Sequence, residues 1–321
     1  MTAPPLQRQP LQNHHLQHQP LAGAAAPASS VRPRLAALAA HLLVALIALV
    51  GIGGATRVME AGLACPDWPL CYGSLLPGRQ MNLQVFLEWF HRLDAFVVGI
   101  GLLVLASASW WWRRQLPAWQ PPLALACVLL VAVQGGLGAL TVLQLLPYGV
   151  VTAHLITGLL LVALLSACHQ GLIPQSGIVA SGGRTLWAAL TAGALLAVVS
   201  QCLLGGLMAT QWAAGRCFSS GEACGWLLAH RLSARPVGGL VLLQAALLLW
   251  RRPAERPLAS LAAVLVLAQI ALGVFSLRFT LAVPGVTVAH QITAALLVAV
   301  LSSLAVRGWR IAPNLPETSH G

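Results

Sequence analysis

"LAALAAHLLVALIALVGIGGA", residues 35–55, decides what surrounds this chain. Its 21 residues contain one polar side chain, His41. At about 1.5 Å per residue, a helix of that length covers roughly 30 Å, the thickness of a bilayer's hydrocarbon core. Seven further apolar stretches follow, near 89–110, 121–144, 148–168, 185–209, 226–249, 257–277 and 284–306. With 58% hydrophobic and 8% charged residues, the composition excludes an ordinary water-soluble domain. Lipid offers backbone N–H and C=O groups no partners, and these runs lack the alternation of a barrel strand. The expectation is an all-α integral membrane protein with eight transmembrane helices.

Orientation comes from arginine alone, since lysine is absent. With eight spans the termini share a side. That side carries Arg8, Arg32, Arg34, Arg113, Arg114, Arg184, Arg251, Arg252, Arg256, Arg307 and Arg310. The opposite loops carry Arg57, Arg79, Arg216 and Arg278, with Arg92, Arg231 and Arg235 just inside the helices there. This bias places both termini in the cytoplasm, in a bacterial inner membrane. The net charge of +11 is therefore a topology signal, and no nucleic-acid partner is expected, because the arginines sit at helix ends instead of lining one soluble face.

The chain also repeats itself. "GGATRVMEAGLAC" (53–65) parallels "GGLMATQWAAGRC" (205–217), "HRLDA" (91–95) parallels "HRLSA" (230–234), and "TAHLITGLLLVAL" (152–164) parallels "VAHQITAALLVAV" (288–300). Gln134 and Gln269 lie 20 and 21 residues ahead of His154 and His290. The expected layout is two parallel four-helix bundles, related by an axis along the membrane normal. A cytoplasmic tail (1–33), rich in Pro, Gln and His, precedes an N-terminal half (34–170) with a long outer loop (57–87). A linker (171–184), a C-terminal half (185–307) and a second tail (308–321) complete it. In the first tail, His14, His15 and His18 could chelate a metal weakly, but solvated low-complexity sequence is the favoured account of them.

Within this layout His91, His154, His230 and His290 all begin even-numbered helices, hence lie at one depth near the outer face, two per half. A polar side chain in a membrane helix is costly unless partnered, and here the cost recurs in two matched pairs. One histidine could be satisfied by a hydrogen bond to a neighbouring helix. Two facing imidazoles in a helix bundle suit a haem, whose iron takes an axial nitrogen from each side. Zinc fits less well, lacking carboxylate or thiolate ligands nearby. His41 and His169 have no repeat partners and are read as structural.

Other residues gather around the four. Arg92 and Arg231 adjoin histidines and are candidates to pair with haem propionates, or to snorkel to headgroups. Thr157 and Thr293 follow their histidines on the same helical face, as supporting hydrogen-bond groups or as bonds to the preceding turn. Glu88 stands three residues before His91, where the second half has Leu227. It is placed to move protons or stabilise positive charge on a haem substituent, or to cap the helix N-terminus. Cys65 and Cys71 in "CPDWPLC", and Cys217 and Cys224 in "CFSSGEAC", suggest intraloop disulfides on the oxidising side, with free thiols or a transient metal site as the alternative. Cys127, Cys168 and Cys202 lie in apolar helices as small hydrophobes.

Over residues 35–307 these features resemble the haem A synthase family: "GGATR" leading to "CPDWPLC", then "EWFHR", "TAHLITG", "LAHRLSA" and "VAHQITA". The resemblance implies oxidation of the C8 methyl of haem O to a formyl group by successive hydroxylations, giving haem A for cytochrome oxidase. It further implies a substrate site for haem O in the first half, with Glu88, His91 and His154, and a resident haem b between His230 and His290 for electron transfer. The implied partners are haem O synthase and cytochrome oxidase assembly factors, alongside the lipid bilayer and, as an open question, a second copy of the chain. The competing class is a bis-histidine di-haem cytochrome passing electrons between quinone and an outer acceptor. Four histidines at one depth count against it, because electron transfer across a bilayer wants haems stacked along the normal. A transporter would want broken helices and charges near midmembrane, and neither is clear here.

Overall fold

The structure, a computed structural model, describes residues 31–173, 184–209, 225–279 and 282–309. Among them, eight helices are long and apolar enough to cross a membrane. They are α1 (Val31–Val58), α2 (Leu83–Trp111), α3 (Gln120–Leu143), α4 (Tyr148–Leu172), α5 (Arg184–Ala209), α6 (Gly225–Arg251), α7 (Arg256–Arg278) and α8 (Pro284–Trp309). The only bridge of β type among the described residues is the isolated Cys71–Ser74 pair. All eight expected spans are present, most of them extended by a few residues at the ends. Extension follows from local chemistry: Asn82 caps α2 by accepting the Val85 N–H at 2.9 Å, and α3 and α7 open on prolines, which need no N–H partner in a first turn.

In the first half α1 packs on α2 and α4, and α3 packs on both α2 and α4, closing a ring. In the second, α5 packs on α6 and α8, and α7 packs on both α6 and α8. The rings meet where α8 touches α1 and α4, and where α4 touches α5. Accordingly α8 and α4 are the most enclosed helices, whereas α3, α5 and α7 are mostly lipid-facing. Leu161 and Leu165 of α4 and Leu297, Leu301 and Leu304 of α8 are buried at this seam's core.

Between lipid and protein there is little hydrophobic difference, so the seam needs close packing and hydrogen bonds. Ser166 donates to the Ala299 carbonyl at 2.6 Å and lies 3.0 Å from the Ser303 hydroxyl, and Ser302 donates back to the Ala163 carbonyl at 2.6 Å. At the end bearing the termini, Arg32 donates to the last carbonyls of α4, and buried Glu255 holds Arg252 at 3.4 Å and Arg307 at 3.1 Å. At that end too, His169 bonds the Ala36 carbonyl at 2.9 Å, while His41, on the exposed face of α1, bonds Ala37 within its own helix. Both are satisfied by backbone alone.

Candidate functional site

At the opposite end, the long loop between α1 and α2 folds back over the helix ends. Cys65 and Cys71 form a disulfide. Asp67 ties the loop's turn, accepting the N–H groups of Tyr72 at 2.7 Å and Gly73 at 2.8 Å. Gly73 has a φ of +70°, a left-handed conformation that favours glycine. The Gly73 N–H foremost, with the Tyr72 N–H and the charge of Arg92, holds the Asp67 carboxyl below the usual carboxylate range.

Glu88 is 4% exposed, and its carboxylate accepts the Cys65 N–H at 2.8 Å and an Arg92 N–H at 2.5 Å. Arg92 in turn donates to the carbonyls of Asp67 and Leu70 at 2.6 and 2.5 Å. Glu88 therefore lies beyond the first turn that Asn82 caps, fastened to the disulfide loop. Arg92 is likewise engaged by that loop and does not reach for headgroups. Arg231, its counterpart, is exposed.

Beneath the loop lies a cavity of ≈ 1920 Å³, lined mainly by apolar side chains of α1–α4 such as Leu46, Phe96, Val131 and Leu161. Ordinary small-ligand pockets run to about 1,000 Å³, so this one suits a large, greasy guest. His91 and His154 both line it, their ring centroids 6.4 Å apart at an interplanar angle of 67°. Two imidazole nitrogens each roughly 2 Å from a shared metal put the ring centres about 6 Å apart. Glu88, Arg57 and Cys71 also line it. By sequence alone Arg57 counts as a loop charge; the "GGATR" stretch that contains it is the signal of a role at the site.

Each of the four histidines rests on a glycine of the preceding helix. A Cβ on Gly53 would lie 2.9 Å from His91 Cε1, on Gly138 3.5 Å from His154 Cε1, on Gly205 3.0 Å from His230 Cε1, and on Gly273 3.1 Å from His290 Cε1. His230 donates from Nδ1 to the Gln201 carbonyl at 3.2 Å, the bond that frees a ligating histidine's other nitrogen. The Nδ1 atoms of His91, His154 and His290 are buried without a well-aligned hydrogen bond, the nearest backbone partners of the three rings being Leu49, Gln134 and Gln269. Among the described residues no cluster of three or more His, Cys, Asp or Glu could hold a bare metal ion. A porphyrin, which brings four nitrogens of its own and needs only axial imidazoles, fits this donor set.

Cys217 and Cys224 lie outside the described residues. Cys127 and Cys168 are buried, Cys168 beside the Gln120 amide. Sequence reasoning missed Gln201, which lies 29 residues ahead of its histidine where Gln134 and Gln269 lie 20 and 21 ahead.

Fold and site thus define a multi-pass helical membrane protein with paired intramembrane histidines beneath a disulfide-bonded loop. Residues 34–302 match the family model described as "Cytochrome oxidase assembly protein". The chain is 31% identical over 340 aligned residues to the "Heme A synthase" of Sphingopyxis alaskensis, covering 86% of this chain and 93% of the relative. It is 33% identical over 191 residues to that of Shewanella oneidensis, covering 54% of this chain and 57% of the relative's length. A Bacillus pumilus protein of the same name is 36% identical over 102 residues, about a third of each chain. The chain belongs to this cytochrome oxidase assembly family, the one that contains the haem A synthases.

Proposed function

We propose that the protein is an oxidoreductase that converts haem O to haem A, a reading supported, as to the product, by the name haem A synthase that its relatives carry. The observation that carries this is the His91–His154 pair, 6.4 Å apart across a large apolar cavity. Haem O is the substrate there, its iron held by these two imidazoles and its hydrocarbon tail matched to the apolar lining. A resident haem b between His230 and His290, which are close enough to interact electrostatically, supplies one-electron relay when bound.

The chain's own residues do the rest. Arg57 and Arg92 both line the cavity, and Arg57, with no ion-pair partner among the described residues, joins Arg92 as a group for the haem propionates. Glu88 places a carboxylate at the cavity wall, where the C8 methyl develops positive charge as it is oxidised. Arg92 and the Cys65 N–H hold that carboxylate in position. Two hydroxylations, each exchanging a C–H bond of the methyl for a C–OH bond from water and releasing two protons and two electrons that pass through the relay to an external electron acceptor, give a geminal diol, which loses water to leave the formyl group. The loop covers the site and limits the water that reaches it. The partners fitting this role are haem O synthase upstream and oxidase assembly factors downstream, in a bacterial inner membrane with both termini cytoplasmic. The two rings of helices then correspond to a substrate half and an electron-relay half of a duplicated unit. The di-haem cytochrome alternative is not favoured, since the matched relatives carry the synthase name.

The test is expression in a haem-A-less host supplied with haem O, followed by chromatography of the extracted haems. Haem A beside haem b is expected, and haem b alone overturns the proposal. Replacing His230 and His290 by alanine should abolish the haem b absorption bands; unaltered bands contradict the assignment.

A further inference from the structure

The histidine supports share a register that breaks at one place. Gln134, Gln201 and Gln269 each precede by four residues, one helical turn, the glycine on which a histidine rests: Gly138, Gly205 and Gly273. All three amides touch the histidine residue concerned. Gln134 Nε2 donates to the His154 carbonyl at 2.9 Å, and Gln201 Nε2 donates to the His230 carbonyl at 2.7 Å while lying 3.1 Å from its ring Nδ1. Gln269 Nε2 lies 3.2 Å from His290 Nε2. Three residues after each of these histidines comes a hydroxyl, Thr157, Ser233 or Thr293, and Ser233 donates to the Gln201 amide oxygen at 2.6 Å.

The His91 unit departs at both positions. One turn before Gly53 stands Leu49, which lines the cavity and meets the His91 ring through its backbone carbonyl alone, its side chain having nothing to donate or accept, and three residues after His91 stands Asp94. Gln134 and Gln201 fasten the histidine through its backbone carbonyl, holding the turn of helix that carries the ring, and Gln269 meets the ring itself. Such a partner fixes a ligating ring's orientation, and its loss costs about 10- to 100-fold in metal affinity. A resident cofactor calls for two fastened ligands, but a substrate that must enter and leave calls for one that yields.

Resting on the function proposed above, we infer that Gln134, Gln201 and Gln269 are positioning residues for three axial histidines, and that His91, with Leu49 in the glutamine's place, is the ligand released when haem O enters and haem A leaves. His154 stays as the anchor, and His230 with His290 keep the resident haem in place.

Haem transfer from the purified, haem-loaded protein in detergent to excess apomyoglobin, followed optically, tests this. Leu49→Gln is expected to slow release from the first site by about tenfold and leave the haem b bands unchanged, whereas Leu49→Met, without an amide, leaves release unchanged. Gln201→Leu and Gln269→Leu are expected to speed haem b release by about tenfold and to shift its low-spin paramagnetic resonance signal. Should Leu49→Gln fail to fold, Gln134→Leu is read in its place, with faster release from the first site expected. Release rates and resonance signals like those of the unaltered protein overturn the inference. Uptake of porphyrin with no effect of the amides sinks the inference alone; no uptake of porphyrin by the unaltered protein sinks the proposed function with it.

Discussion

Glu88 answers to two partners, and helical periodicity supplies only one of them. Its i+4 neighbour Arg92 is a local contact, but the Cys65 N–H comes from a loop 23 residues back. Removing the carboxylate in Glu88→Ala leaves a mostly buried guanidinium without its counter-charge and the buried Cys65 N–H without an acceptor, at a cost of about 3 kcal/mol. Cys65 and Cys71 should then be reduced and maleimide-labelled faster under mild dithiothreitol; labelling at the unaltered rate would show that Glu88 does not brace the loop. Asp67 gives the loop a pH dependence of known sign. Its folded value is depressed, so its contribution is complete above about pH 4, where the unfolded carboxyl ionises, and disappears as pH falls through the lower folded value. The ratio of the Asp67→Asn labelling rate to that of the unaltered protein, in which the thiolate chemistry common to both cancels, should exceed one and stay flat from pH 7 to 5. Paired histidines were legible because a polar group in an apolar run stands out twice over. Gln201 and Arg57 were not, since each depends on which neighbour the helix faces.

The helices themselves needed only length and hydropathy, which is why the expected spans and the observed ones differ chiefly at their ends. Which helices would be central was another matter. A helix apolar all round carries no stripe to mark its buried side, and small residues occur along every span here. The α4–α8 seam is recognisable only from the reciprocal bonds of Ser166 and Ser302 to carbonyls across it. Interhelical hydrogen bonds in membranes contribute about 0.6 to 1.7 kcal/mol, so Ser302→Ala should lower the detergent melting midpoint by a few degrees. Ser302→Leu, forcing a large side chain between packed backbones, should lower it much further. Equal midpoints for all three proteins would mean the seam is held by packing elsewhere.

At the scale of the molecule, charge sets orientation and the seam sets distance. On the proposed orientation, with both termini on the cytoplasmic side where arginine collects, a green fluorescent protein fused after Gly321 should fluoresce in a bacterial host, and an alkaline phosphatase fused there should be inactive. The opposite pattern would invert the topology. Neither the charge nor the repeats foretold how close the two histidine pairs lie. Gly206 and Gln291, the residues immediately after Gly205 and His290, form part of the wall of the first-half cavity. On the function proposed here, the partition between the two porphyrins is little more than a side chain thick. An electron removed from one ring can tunnel to the other with no diffusing carrier, and whatever crowds one compartment will be felt in its neighbour's redox potential.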